Sequence, residues 1–272
     1  METIRGSIYD YPKYYDVLFG ADCAAEMRFL QAAFRRYARR RVRRVFEPAC
    51  GTGRMLIRLS HAGYSVCGLD LNPKAVAYCN RRFRQAGKKA VAVVGDMTDF
   101  HLPRPCDAAY NAINSFRHVM EERAAVHHFR CMAEAIAPGG IYVIGLHLTP
   151  NRPPQCTEEA WVARRGMLQV NSLMQSLRLD RRKRTERVRL QFDVYTPRRC
   201  FRIMDEFDFR TYTADQFRGL LKKAGSWEIA AVHDFRYDID DTVPLDDCTE
   251  DAVFVLLRTA DAAAPRREIT NP

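Results

Sequence analysis

With 272 residues and 47% hydrophobic content, the chain is long enough for one α/β domain with an insertion and a sizeable core. No apolar run approaches the roughly 20 residues that cross a bilayer, and the opening METIRGSIYDYPKYYD lacks the apolar stretch of a secretion signal, so the expected setting is cytoplasmic with no membrane partner. The net charge of +10 would suit an acidic partner, but the arginine runs are dispersed as on solvated helix faces, which disfavours nucleic acid as the substrate.

The nine cysteines stand singly, with no CxxC, which argues against a disulfide framework and against a metal site; most read as small buried hydrophobes. Residues 8–19 are aromatic-rich. Residues 24–38 place Met27, Leu30, Ala33, Phe34 and Tyr37 at helical spacing, with Asp22 as N-cap and a cationic end that suits the helix dipole. Residues 42–46 read as a buried strand running into Glu47 and a glycine turn. Residues 54–61 read as a helix stopped by Gly63, and 64–69 as a second strand ending at Asp70. Pro73 opens the next helix, and 90–94 form a third strand closed by Gly95, Asp96 and Met97. Residues 107–110 form a fourth strand that leads into Asn111. A helix over 121–137 is stopped by Pro138, Gly139 and Gly140, and 141–148 form a fifth strand.

Strand and helix alternate over about 42–148, which specifies a parallel sheet with helices on both faces. Ligands of such sheets lie beyond the carboxyl ends of the strands, where Glu47, Asp70, Asp96 and Asn111 fall. The pattern then changes. Residues 161–212 alternate as antiparallel strands around an exposed hairpin loop at 180–185. Thr213 caps a helix to Lys223, and 227–235 and 251–258 form a last antiparallel pair at the sheet edge.

Gly51 and Gly53 allow a tight turn and close backbone approach to a ligand. A lone GxG also serves dinucleotides, whose pyrophosphate sits on a helix N-terminus. Glu47 would repel that pyrophosphate and favours a cationic ligand, and Leu56 stands where a third fingerprint glycine would be. Residues 45–53 resemble the first motif of class I S-adenosylmethionine (SAM)-dependent methyltransferases, in the form EPACGTG. LDLN at 69–72 resembles the ribose-holding second strand end, GDM at 95–97 the adenine turn, and 111–118 the substrate side after the fourth strand. YYDVLFGADCAAEMRFL is similar to the start of small-molecule members, including aminosugar N-methyltransferases. The likeness covers about residues 9–258.

This resemblance implies a Rossmann-like seven-stranded, mostly parallel sheet plus an inserted antiparallel β-sheet. It implies a helical cap at 1–41, a SAM-binding core at 42–150 and 211–258, an extension at 151–210 and a disordered tail at 259–272. The implied cofactor is SAM, with S-adenosylhomocysteine as product, held by Tyr15, Glu47, Ala49, Gly51, Gly53, Asp70, Leu71, Asp96, Met97 and Asn111. The acceptor is a small molecule facing Tyr11, Asn114, His118, Arg210 and Tyr212. His118 is the candidate base, and Tyr15 covers the cofactor and positions the reactants. The extension offers a surface for a homodimer. Two alternatives stay open: an RNA or protein methyltransferase, against which NAIN in place of an NPPY-type tetrapeptide argues for base amines, and a non-catalytic SAM-binding regulator.

Overall fold

The computed structural model describes residues 1–152 and 157–260, so residues 261–272 of the expected tail, part of the 151–154 linker and Cys156 lie outside the described residues. In chain order the elements are β1 (Glu2–Arg5), a 3-10 turn (Ile8–Asp10), α1 (Pro12–Phe19), α2 (Ala24–Arg36), β2 (Arg44–Pro48), α3 (Arg54–His61) and β3 (Ser65–Asp70). Then come α4 (Pro73–Gln85), β4 (Ala92–Val94), β5 (Cys106–Asn111), a second 3-10 turn (Ser115–His118), α5 (Glu122–Ala135) and β6 (Ile136–His147). The chain continues through β7 (Glu158–Arg165), β8 (Leu168–Asp180), β9 (Thr185–Tyr195), β10 (Cys200–Arg210), α6 (Ala214–Ala224), β11 (Trp227–His233) and β12 (Asp251–Arg258).

The expected architecture is present. A seven-stranded sheet runs in the order β11-β12-β6-β5-β2-β3-β4, parallel from β6 to β4, with β12 antiparallel to its neighbours. Side chains alternate across its strands, so each face has its own core. Tyr142, Ile144, Phe254 and Leu256 pack on one face with Phe116, Phe129 and Phe217. Val143, Val253 and Val255 pack on the other with Phe29, Phe34, Met55 and Leu59 of α2 and α3. Asn72 caps α4 by accepting from the backbone N–H groups of Lys74 and Ala75, and Thr213 and Gln216 form a reciprocal capping box on α6.

A second sheet of five strands, in the order β1-β10-β9-β8-β7, forms the extension. Its inner face (Val170, Leu190, Phe192, Val194, Phe201 and Ile203) is covered by Ile8, Val17 and Leu18. Two features differ from the sequence reading. β1 joins this sheet, parallel to β10, whereas residues 1–41 read as helical. α5 ends at Ala135 and β6 starts at Ile136, because Ile136 already pairs with Cys106 and the Pro138–Gly140 segment is taken up within the strand.

Candidate functional site

The carboxyl ends of β2, β3, β4 and β5 open into a cavity of about 850 Å³, roofed by α1, the first 3-10 turn and the inner face of the extension. Its volume is in the range usual for small-molecule sites, about 300–1,000 Å³. The turn after β2 forms its floor. Ala49 and Gly51 both have φ of 52° there; the left-handed region favours glycine, so Ala49 carries backbone strain at the ligand-facing turn. The Gly51 N–H donates to Asp70 Oδ2 at 2.7 Å, and the Asn72 N–H donates to Asp70 Oδ1 at 2.8 Å. These two bonds aim the carboxylate at the turn. Burial nevertheless raises the Asp70 pKa above the usual carboxylate range, with both backbone bonds opposing the rise.

Glu47 closes β2 and is 7% exposed. Tyr110, one strand over, donates its hydroxyl to Glu47 Oε2 at 2.5 Å. Burial pushes this carboxyl well above its ordinary pKa, against the pull of the Tyr110 bond and Arg54. Arg54 is held in a fork by Glu26, at 2.6 and 2.8 Å, so it is a structural ion-pair partner. Asp96 Oδ1 accepts from the Thr98 N–H and hydroxyl at 2.7 and 2.8 Å, which fixes the turn after β4. Met97 beside it is anchored through its carbonyl, which accepts from His128 Nδ1 at 2.8 Å.

The charge of this cavity opposes that of the chain. The protein carries +10, yet among the described residues Asp10, Glu47, Asp70, Asp96, Glu121 and Glu159 line the cavity against only Arg54 and Lys74. Both cations are already paired, with Glu26 and with Asp10. Such a wall attracts a cation and repels a pyrophosphate. Asn111 adds a directional group: its Nδ2 donates to the Pro48 carbonyl at 2.9 Å, which leaves Oδ1 buried in the cavity wall with no hydrogen-bond partner among the described residues. A buried, unpaired acceptor calls for a donor from a ligand. The residues present therefore fit SAM, which brings an α-ammonium donor and a sulfonium charge.

The opposite wall is aromatic. Tyr15 packs on Phe19 with ring centroids 4.6 Å apart, and Phe19 lies 6.0 Å from Trp161 of β7. His118 is open to the cavity but enclosed on its other sides by Tyr9, Phe207 and Phe209, with ring centroids 4.8–5.4 Å away. Its Nε2 lies 2.8 Å from the Tyr9 hydroxyl. This enclosure, with Arg117 next to it, lowers the His118 pKa to about 4, so the ring is neutral at pH 7. Burial raises the Tyr15 pKa to about 12 and that of Tyr9 well above its ordinary value, so both phenols keep their protons.

Of the residues singled out from sequence, the cavity brings together Tyr15, Glu47, Ala49, Gly51, Asp70, Leu71, Asp96, Met97, Asn111, Asn114 and His118. Asn114, with φ of 50°, accepts the His147 N–H on Oδ1 at 2.8 Å and so fixes the loop after β5. Four others are placed elsewhere. A Cβ on Gly53 would meet Cys79 Sγ at 2.4 Å, so this glycine serves the approach of α3 to α4. Tyr11 stacks on Tyr14 along the extension. Arg210 pairs with Glu122, and Tyr212 is fully buried, stacked on Phe116 in the core. Tyr9, Trp161 and Phe207 were not singled out from sequence; the aromatic run 8–19 was the only signal for Tyr9.

Residues 45–140 match the family model described as "Methyltransferase domain". Over 137 residues, half of this chain, it is 24% identical to a Geobacillus sp. protein whose name proposes a methyltransferase, covering 56% of that protein. Over 120 residues it is 33% identical to the glycine N-methyltransferase of Oryctolagus cuniculus, covering 38% of this chain and 40% of that one. The chain thus spans about half the length of the curated relatives it matches. Among solved structures, an S-adenosylmethionine-dependent methyltransferase from Clostridium acetobutylicum superposes with a TM-score of 0.74 at 16% identity, over 92% of this chain and 98% of the other. The sugar N-methyltransferase KedS8 from Streptoalloteichus superposes with a TM-score of 0.71 at 22% identity, over 94% of each chain. Fold and matched domain agree: residues 45–140 match a methyltransferase domain, and the chain has the fold seen in solved SAM-dependent methyltransferases, sugar N-methyltransferases among them.

Proposed function

We propose that the protein transfers a methyl group from SAM to a nitrogen or oxygen of a small molecule. The observation that carries this reading is the acidic cavity floor of a basic protein, continuous with an enclosed aromatic wall. Glu47 and the Asn111 Oδ1 would take the α-ammonium, Asp70 the ribose hydroxyls, Asp96 the exocyclic amine of adenine and Met97 its ring. SAM supplies an electrophilic methyl on a sulfonium. The chain's own residues then supply position and dryness, which account for much of the rate in such a displacement.

Tyr15, Phe19 and Trp161 exclude water from above. The neutral Tyr9–His118 pair presents one hydrogen-bond donor and one acceptor to the incoming nucleophile and orients its lone pair. With a pKa near 4, His118 is a weak base, so its role is to align an uncharged amine or hydroxyl rather than to strip a proton from an ammonium. KedS8 is named a sugar N-methyltransferase and CalS10 an amino pentose methyltransferase, which supports an amino sugar as the acceptor class to try first. β7, an edge strand of the extension among the described residues with Val162 67% exposed, is the surface we assign to a homodimer. A monomeric mass in solution would refute that assignment. Turnover of methyl-labelled SAM against a panel of amino sugars, amino acids and phenols tests the activity. Label transferred to one acceptor class supports it; no turnover with any acceptor, by protein that binds SAM, would leave a binding protein instead.

A further inference from the structure

A second cavity, of about 530 Å³, lies on the other side of α1, bounded by α4, the β7–β8 turn and the β9–β10 turn. Among the described residues, none lines both cavities. α1 is the wall between them: Tyr15 and Phe19 face the first, and Lys13 and Val17 face the second. Among the described residues, four cations line the second cavity, Lys13, Arg81, Arg82 and Arg165, and no carboxylate does. Behind them Asp16, 1% exposed, holds Arg82 at 2.5 Å and Arg165 at 2.9 Å. That single charge is already shared between two guanidiniums. Lys13 and Arg81 have no ion pair among the described residues. Each instead lies over a tyrosine ring, Lys13 over Tyr14 at 5.9 Å and Arg81 over Tyr78 at 4.8 Å. The β9–β10 turn also carries the exposed Arg198 and Arg199.

Like charges gathered in a walled cleft repel one another and focus the field on an anion. Guanidinium forks match phosphate oxygens in particular, two bonds at a time. The cleft has the volume of a small-molecule site and is closed by α1 on one side and the β-turns on another, a shape that holds a compact anion better than a polymer. We propose that this second cavity binds a phosphate-bearing small molecule, with Arg81 and Lys13 as the free donors and Arg82 and Arg165 shared with Asp16.

The test is calorimetric titration of the full chain with inorganic pyrophosphate at low and at moderate salt. One site per chain is expected, weakened by salt and weakened roughly tenfold, the scale of one lost charge-assisted contact, in Arg81→Ala and in Lys13→Ala. Lys222→Ala, an exposed site on α6, should bind as the unsubstituted chain does. Arg81 and Lys13 are both exposed, and an unchanged urea midpoint shows that each variant is folded. Absence of pyrophosphate binding, or equal affinity in Arg81→Ala and the unsubstituted chain, would overturn the proposal. So would a single-stranded oligonucleotide that displaces pyrophosphate and loses its own affinity in Arg81→Ala, since the cleft would then be a nucleic-acid surface.

Discussion

Asp16 joins four parts of the molecule, and its charge can be removed without changing its shape. It lies on α1, and its carboxylate accepts from Arg82 and Tyr78 of α4, from Arg165 of the extension and from the Thr52 hydroxyl in the cofactor turn, at 2.5–3.3 Å. Asp16→Asn keeps a carbonyl for one donor and deletes the charge. Arg82, whose side chain is 22% exposed, loses a charge-assisted bond worth about 1.5–3 kcal/mol. Arg165 is 52% exposed and can return to water, so its share is at most about 1 kcal/mol. The expected destabilisation is therefore about 2–4 kcal/mol, at or below the roughly 3–5 kcal/mol for breaking a fully buried pair. Urea unfolding followed by far-UV circular dichroism measures it as a lower midpoint at unchanged slope. Arg165→Ala should cost less than about 1 kcal/mol by the same assay. A loss below about 0.5 kcal/mol for Asp16→Asn would refute the reasoning, because the four donors would then have no need of the charge.

Three further outcomes follow from other parts of the structure. His128 is fully buried, with Nδ1 donating to the Met97 carbonyl, and burial lowers its pKa from 6.5 to about 4. Between those values the unfolded chain binds the extra proton. Stability should thus fall by about 3 kcal/mol as pH drops from about 6.5 to 4, and the fall should be smaller by that amount in His128→Gln. Tyr9→Phe removes the hydroxyl on His118 and should lower kcat roughly tenfold, the size of one hydrogen bond, while SAM affinity stays within about twofold. Equal losses in both would place Tyr9 in cofactor binding. Gly53→Ala puts a methyl 2.4 Å from Cys79 Sγ at a φ of 66°, so thermal melting should show a loss of about 1–3 kcal/mol.

The parallel core was legible because its signals are periodic: buried strands, helices with caps, and an acid or amide at each strand end. The chemistry of parallel sheets then places Glu47, Asp70, Asp96 and Asn111 together at the strand ends. Less local features were not legible. β1 is four mostly exposed residues, ETIR, whose only reason to be a strand is the edge of β10. Tyr9 and Tyr11 stand two apart in one aromatic run, and the 3-10 turn at 8–10 decides that Tyr9, not Tyr11, meets His118. Tyr212 follows the extension in sequence, but its ring turns into the core against Phe116 and Phe217. The contrast between an acidic cavity and a basic cleft, separated by one helix, comes from side chains distant in sequence and has no signature in composition.

The claim on which the rest depends is that the strand-end turn holds SAM. Calorimetric titration of the full chain with SAM, alongside Glu47→Gln and Asp70→Asn, tests it directly. The account predicts one site per chain and a loss of tenfold or more, about 1.5 kcal/mol, in each variant. It also predicts that affinity falls with pH as Glu47, already raised by burial, takes up its proton. No binding by the unsubstituted chain, or unchanged affinity in both variants, would contradict it.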